Sequence, residues 1–288
     1  MKVKPFLKLA ASVLRRLDAW LPPEQTEPDW SAVAYRWQRI GNAGVLHSLP
    51  APHTFPLSRL AGVDKQMRQL VRNTEQFVHG RHANNVLLSG SRGTGKSSLV
   101  KALLHEYADK GLRLIEVDKT DLLGLPHLLG LLAQRPEKFI VFCDDLSFEE
   151  GDDAYKALKT ALDGGLSQRA ANVLVYATSN RRHLMPEYMA DNLGTTGIRG
   201  EVHVKEAVEE KVSLSDRFGL WLSFYPFDQQ DYLAAVANWL GAEGLEMDDT
   251  ARKAALAWSL ARGGRSGRVA WQFVCDWAGR LPHERVVD

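Results

Sequence analysis

Gly90-Ser91-Arg92-Gly93-Thr94-Gly95-Lys96-Ser97 follows the short apolar run Val86-Leu87-Leu88 and opens a stretch with helical apolar periodicity. Strand, glycine-rich turn and helix in that order, closing on Gly-Lys-Ser, read as a phosphate-binding loop. The glycines let backbone N–H groups turn inward around phosphate, Lys96 reaches the β- and γ-phosphates, and the Ser97 hydroxyl is a ligand for Mg²⁺. Gly90 to Ser97, with Ser98 of the first helical turn, are the candidate nucleotide-binding residues. Glycine-rich turns also join strands to helices without any ligand, but the preceding strand, the spacing and the terminal Gly-Lys-Ser together argue against that reading.

Around this loop, short β-rich runs alternate with helical periodicity, the pattern of a mostly parallel sheet covered by helices. Strands are expected at 86–88, 112–117, 139–143 and 173–177, and helices near 63–78, 96–109, 126–134 and 152–162. Beyond Pro226 the strand pattern stops, and helices are expected at 228–240, 249–262 and 266–279. The expected fold is α/β: a P-loop parallel sheet covered by helices at 57–225, followed by a small all-helical lid at 226–288.

A chain of 288 residues holds one sizeable core plus a small second domain. The net charge of +1 gives no global field to recruit nucleic acid or an anionic membrane. Cys143 and Cys275 both fall in apolar surroundings, which argues against a disulfide framework or a zinc site and for a reducing, cytoplasmic setting. No apolar run approaches the roughly 20 residues that span a bilayer.

Residues 1–56 form an expected separate N-terminal segment. Its first part interleaves Lys2, Lys4, Lys8, Arg15 and Arg16 with Phe6, Leu9, Val13, Leu17 and Trp20 at helical spacing, a basic amphipathic helix. Packing on its own domain is the favoured role, and peripheral contact with an anionic membrane or a partner is the second. The rest carries Pro22, Pro23, Pro28, Pro50, Pro52 and Pro56 around Trp30, Tyr35 and Trp37, and reads as a linker enclosing a small aromatic cluster.

Phe139-Ile140-Val141-Phe142-Cys143-Asp144-Asp145 is an apolar strand ending in two carboxylates, which fits a Walker B strand. There an aspartate holds Mg²⁺ and a neighbouring acid polarises the attacking water, so Asp144 is assigned to the metal and Asp145 to the water. A turn-capping role for Asp145 stays open, as does Glu149 as the base. Val173-Leu174-Val175-Tyr176-Ala177-Thr178-Ser179-Asn180 is a further buried-strand pattern with a polar carboxyl end, where ligands of open α/β sheets bind. Asn180 is the candidate for the γ-phosphate or its water, and Thr178 the runner-up.

In this order, these motifs resemble those of the AAA+ ATPases from about Leu57 to the end of the chain. Leu60-Ala61-Gly62-Val63-Asp64 is similar to the family's adenine-contacting segment, which implies Gly62 and Val63 as base contacts. The resemblance also makes Asn180 sensor 1, places an arginine finger at Arg217 within Ser215-Asp216-Arg217-Phe218-Gly219, and puts sensor 2 in Gly264-Arg265-Ser266-Gly267-Arg268. Arg268 is the preferred sensor 2 residue and Arg265 its rival. The runs 142–149 and 177–184 look like a bacterial group of predicted AAA+ ATPases of undefined role. A finger acting on a neighbouring copy implies a homo-oligomer such as a ring.

Two departures from that pattern matter. The Walker B strand ends Asp-Asp instead of Asp-Glu, which shortens the expected catalytic acid by one methylene and makes slow hydrolysis credible. Asp118-Lys119-Thr120-Asp121-Leu122-Leu123-Gly124-Leu125 lacks the aromatic residue that polypeptide-threading members carry there. The segment 186–210, with its Gly194–Gly200 run and acidic tail, reads as a surface loop whose mixed charge argues against a DNA-binding stripe. The expectation is an ATPase that consumes ATP with Mg²⁺ and drives remodelling of a macromolecular partner of unknown identity; the alternative is a loader-like switch with little hydrolysis.

Overall fold

The computed structural model describes residues 12–13, 27–40, 43–149, 151–163, 170–181, 184, 214 and 216–285. Most of the basic N-terminal stretch and all of the 186–210 segment lie outside these residues, as does Ser215.

Its centre is a sheet of seven strands among the described residues: β1 (Ala34–Ile40), β2 (Ala43–Ser48), β3 (Val86–Gly90), β4 (Leu112–Val117), β5 (Lys138–Cys143), β6 (Val173–Ser179) and β7 (Leu220–Phe224), in the order β2-β1-β4-β5-β6-β3-β7. Apart from the antiparallel β1–β2 pair, the described pairings are parallel. Strands of a parallel sheet are covered on both faces, and β5 and β6 accordingly read as near-continuous apolar runs, buried along almost their whole length.

Alternation along these strands divides the core in two. Val86, Leu88, Ile140, Phe142, Leu174 and Tyr176 point to one face, where they join a cluster with α1 (Asp64–Val78), α2 (Lys96–Tyr107) and the C-terminal helices α5 (Gln229–Ala242), α6 (Asp249–Ala261) and α7 (Gly267–Gly279). Leu87, Phe139, Val141, Cys143, Val175 and Ala177 point to the other, against α3 (Leu125–Leu132) and α4 (Asp153–Asp163). The Cys143 thiol is wholly buried here, which pushes it up to about 12 and leaves it a packing residue. On the first face, the Tyr176 hydroxyl is paired with Asn73 and Thr74 of α1, which ties that helix to the central strand.

Three strands lie outside the sequence expectation. The linker expected between Leu21 and Pro56 holds β1 and β2, which extend the sheet at the β4 edge: Ala34 pairs with Leu114 and Trp37 with Val117. Tyr35 and Trp37 point inward while Arg36 and Gln38 alternate outward, and the prolines flank these strands instead of interrupting them. At the opposite edge, β7 was not expected, because its five residues alternate in burial as an edge strand does and give no continuous apolar run.

The strand order positions the motifs. β6 lies between β5 and β3, so the carboxyl ends of the three strands that carry the loop, the carboxylate pair and Asn180 are neighbours. Residues up to 90 positions apart in sequence thus reach one place.

Candidate functional site

The site is built first from the loop that leaves β3. Gly90, Gly93 and Gly95 adopt positive φ of 128°, 73° and 92°. At Gly90 a side chain is excluded twice over, since a Cβ there would also lie 1.9 Å from the Phe224 carbonyl oxygen of β7. The same carbonyl accepts the Ser91 N–H at 3.1 Å, so the edge strand braces the loop. Gly95 precedes the first turn of α2, whose unpaired N–H groups and dipole face the loop and make it an anion site.

Lys96 is 6 % exposed, and its ammonium donates to the carbonyls of Gly90 (2.8 Å) and Ser91 (2.7 Å) and to Asn180 Oδ1 (3.0 Å). Burial pulls its pKa below the ordinary lysine value, and the neighbouring Asp145 and Asp144 carboxylates act in the opposite sense. The Asn180 amide donates in turn to Asp145 Oδ1. From the other side, Ser97 Oγ donates to Asp144 Oδ1 at 2.6 Å. The Asp145 N–H donates to Asp144 Oδ1 at 3.1 Å, so Lys96, Asn180, Asp145, Asp144 and Ser97 form one hydrogen-bonded chain that starts and ends on the loop.

Asp145 has φ of 50°, in the left-handed region. Aspartate tolerates that region better than longer or branched residues, because its short polar side chain bonds locally. This gives a backbone reason for the Asp-Asp ending: the second acid sits where the chain turns out of β5.

Above the loop and the carboxylates is a cleft of about 680 Å³. Arg92, Gly93, Thr94, Gly95, Lys96, Ser97 and Ser98 line it, with Asp144, Asp145, Asn180, Val63 and Arg268. Helix α7 closes down on the loop: Ser266 caps it by accepting from the Val269 N–H, and the Arg268 N–H donates to the Gly93 carbonyl at 3.3 Å. Gly90 and Ser91 enter through their carbonyls on Lys96, and Gly62, with φ of 74°, lies between the lining residues Ala61 and Val63.

Several candidates are placed elsewhere. Arg217 donates from Nε to Asp163 Oδ1 at 2.5 Å, at the end of α4, and is not among the residues lining the cleft of its own chain. Glu149 faces Arg181 at 3.6 Å and Arg265 donates to Gln229, so neither the alternative base nor the alternative sensor lines the cleft. Thr178, by contrast, lines the cleft, with its hydroxyl engaged by the carboxylate pair: it donates to Asp144 Oδ1 at 2.5 Å and accepts the Asp145 N–H at 2.8 Å.

The cleft also has an aromatic end that local sequence motifs did not announce. The rings of Trp239 (α5) and Trp271 (α7) lie 4.6 Å apart, Phe55 meets Trp239 edge-on at 6.1 Å, and the Arg59 guanidinium stands 5.7 Å over the Trp239 ring. All four residues line the cleft. The only sequence signal is two tryptophans on amphipathic helices, which does not say that both helices turn toward the same opening.

The donor set fits a nucleotide with Mg²⁺. A hydroxyl and a carboxylate, both hard oxygen ligands, meet at Ser97 and Asp144 directly beside the helix N-terminus that would hold phosphate.

Comparison with known proteins agrees in fold. The family described as "Protein of unknown function (DUF815)" matches residues 30–281. The replication factor C large subunit of Methanococcus maripaludis strain C5 is 28% identical over 116 residues, which cover 36% of this chain and 24% of the relative. The chain thus spans about a quarter of the length of the curated relatives it matches. Among solved structures, the Orc1 protein of Aeropyrum pernix, determined in complex with DNA, superposes with a TM-score of 0.55 at 15% identity, covering 80% of this chain and 63% of that one. A RuvB structure of Thermotoga maritima gives 0.51 at 14% identity, covering 76% and 63%. The fold is that of the AAA+ proteins.

Proposed function

Because the chain belongs to the DUF815 family and has the AAA+ fold, we propose that it is a Mg²⁺-dependent ATPase that converts ATP to ADP and phosphate and uses the accompanying movements to remodel a macromolecular partner. The observation that carries this reading is the hydrogen-bonded chain from Lys96 through Asn180, Asp145 and Asp144 to Ser97, on the floor of a cleft with an anion-binding helix terminus.

In this reading Lys96 and the loop N–H groups bind the phosphates, and Ser97 and Asp144 hold the metal. Mg²⁺, when bound, neutralises charge on the phosphate oxygens. Asp145 orients the attacking water and accepts its proton, and Asn180 fixes the position of that carboxylate. Arg268, on the helix that touches Gly93, reaches the phosphates from the lid. Arg217 serves a neighbouring copy, which makes assembly a condition of fast turnover. The base lies at the Trp239–Trp271 end of the cleft, near Val63.

Asp145→Asn keeps the short polar side chain that its left-handed backbone favours and removes the base. It should bind ATP as tightly as the parent and lose roughly 10²-fold or more in turnover, as general bases contribute. Steady-state phosphate release beside ATP titration checks this, and a normal rate would move the base elsewhere. Trp239→Phe should remove most of the tryptophan fluorescence change on ATP addition and leave most of the affinity; an unaltered signal would place the base away from this wall.

A loader-like switch with little hydrolysis is the second reading, and one observation favours it: Asn180 already occupies an oxygen of Asp145. Hydrolysis measured over a series of protein concentrations, with Mg²⁺ and with chelator, separates the two. Specific activity that rises with concentration supports the ATPase, and tight binding without turnover supports the switch.

A further inference from the structure

We propose that Thr178 is the positioning residue that sets both Walker B carboxylates, and so determines how tightly the site takes up Mg²⁺ with nucleotide; this rests on the ATPase reading above. Thr178 is 1 % exposed, on β6, one position beyond the register pair Cys143–Ala177. A threonine hydroxyl has one proton and two acceptor positions. Here the proton goes to Asp144 Oδ1 at 2.5 Å, and the Thr178 hydroxyl oxygen accepts the Asp145 N–H at 2.8 Å, a donor it shares with Asp144 Oδ1 at 3.1 Å. The Thr178 carbonyl accepts the next N–H, that of Leu146, at 2.7 Å. One residue therefore holds three consecutive positions of the neighbouring strand end.

The consequences differ for the two acids. Asp144 Oδ1 receives Ser97 Oγ and Thr178 Oγ1 together, which fixes the rotation of the carboxylate toward the loop serine. For Asp145 the bond acts on the backbone: it satisfies the N–H of a residue at φ of 50° and so holds the turn that delivers its side chain to Asn180. With its only proton committed to Asp144, Thr178 has none to donate to a phosphate, so it serves the carboxylates and not the γ-phosphate itself.

Thr178→Val keeps the shape and β-branching of the side chain and removes the hydroxyl; Thr178→Ser keeps the hydroxyl. ATP affinity measured calorimetrically in chelator should be the same in both variants and the parent. With Mg²⁺ present, Thr178→Val should require about 10- to 100-fold more Mg²⁺ to reach the same affinity, as losses of groups that orient metal ligands do, and Thr178→Ser should return to the parent value. Parent-like Mg²⁺ dependence in Thr178→Val would overturn the proposal. If the parent itself shows no Mg²⁺-dependent ATP binding, it is the ATPase reading that fails, and the Thr178 role falls with it. Should thermal melting show that the valine variant does not fold, Thr178→Ala compared with Thr178→Ser decides in the same way.

Discussion

Lys96→Ala should lower ATP affinity by about 10²-fold or more and remove measurable turnover. The lysine is buried, so its charge is poorly screened, and it faces Asp144 and Asp145 as well as two loop carbonyls. Two charge-assisted hydrogen bonds to phosphate at about 1.5–3 kcal/mol each give at least that loss. Truncation has a second effect, because Asn180 loses the partner of its carbonyl oxygen and its hold on Asp145 weakens. Calorimetric titration with ATP checks the first effect and phosphate release the second. Unchanged binding would remove the phosphate-loop assignment.

Arg217→Ala should leave ATP binding nearly intact and reduce turnover of the assembled protein by about 10³-fold, the lower end of what a finger arginine contributes. In the single chain this guanidinium is held by Asp163 and is not among the residues lining its own cleft, so a catalytic role for it requires a neighbouring copy. Mixing Arg217→Ala with Asp145→Asn chains tests that geometry. Some sites in a mixed assembly then combine an intact base with an intact finger, and activity should reappear. Its absence in assemblies shown to be mixed would count against action between subunits.

The loop and the two strand ends were legible in the sequence because their signals are local: glycines with positive φ, a lysine and a serine at fixed offsets, acids after an apolar run. What was hidden depends on partners distant in the chain. The β1–β2 pair was obscured by flanking prolines, and only its pairing to β4 shows that the alternation of Tyr35 and Trp37 belongs to a strand. Thr178 reads from sequence as the runner-up to Asn180 for the γ-phosphate, whereas its hydroxyl is committed to residues 33 and 34 positions earlier. Trp239 and Trp271 belong to separate helices, and helical periodicity reports which face is apolar without saying which opening that face borders. The Asp-Asp ending reads from sequence as a shortened acid, whereas the left-handed turn at Asp145 explains it through backbone conformation.

The main-chain bond from Arg268 to Gly93 has a mechanical meaning. It joins the first turn of α7 to the tip of the phosphate loop with no side chain as intermediary, so a rotation of the C-terminal helices that kept this bond would carry the loop with it. A loop that tightened around phosphate would in turn pull on α7 through the same bond. Grip on phosphate and angle of these helices would then be one degree of freedom, transmitted through α7 to whatever the far ends of α5 and α6 touch.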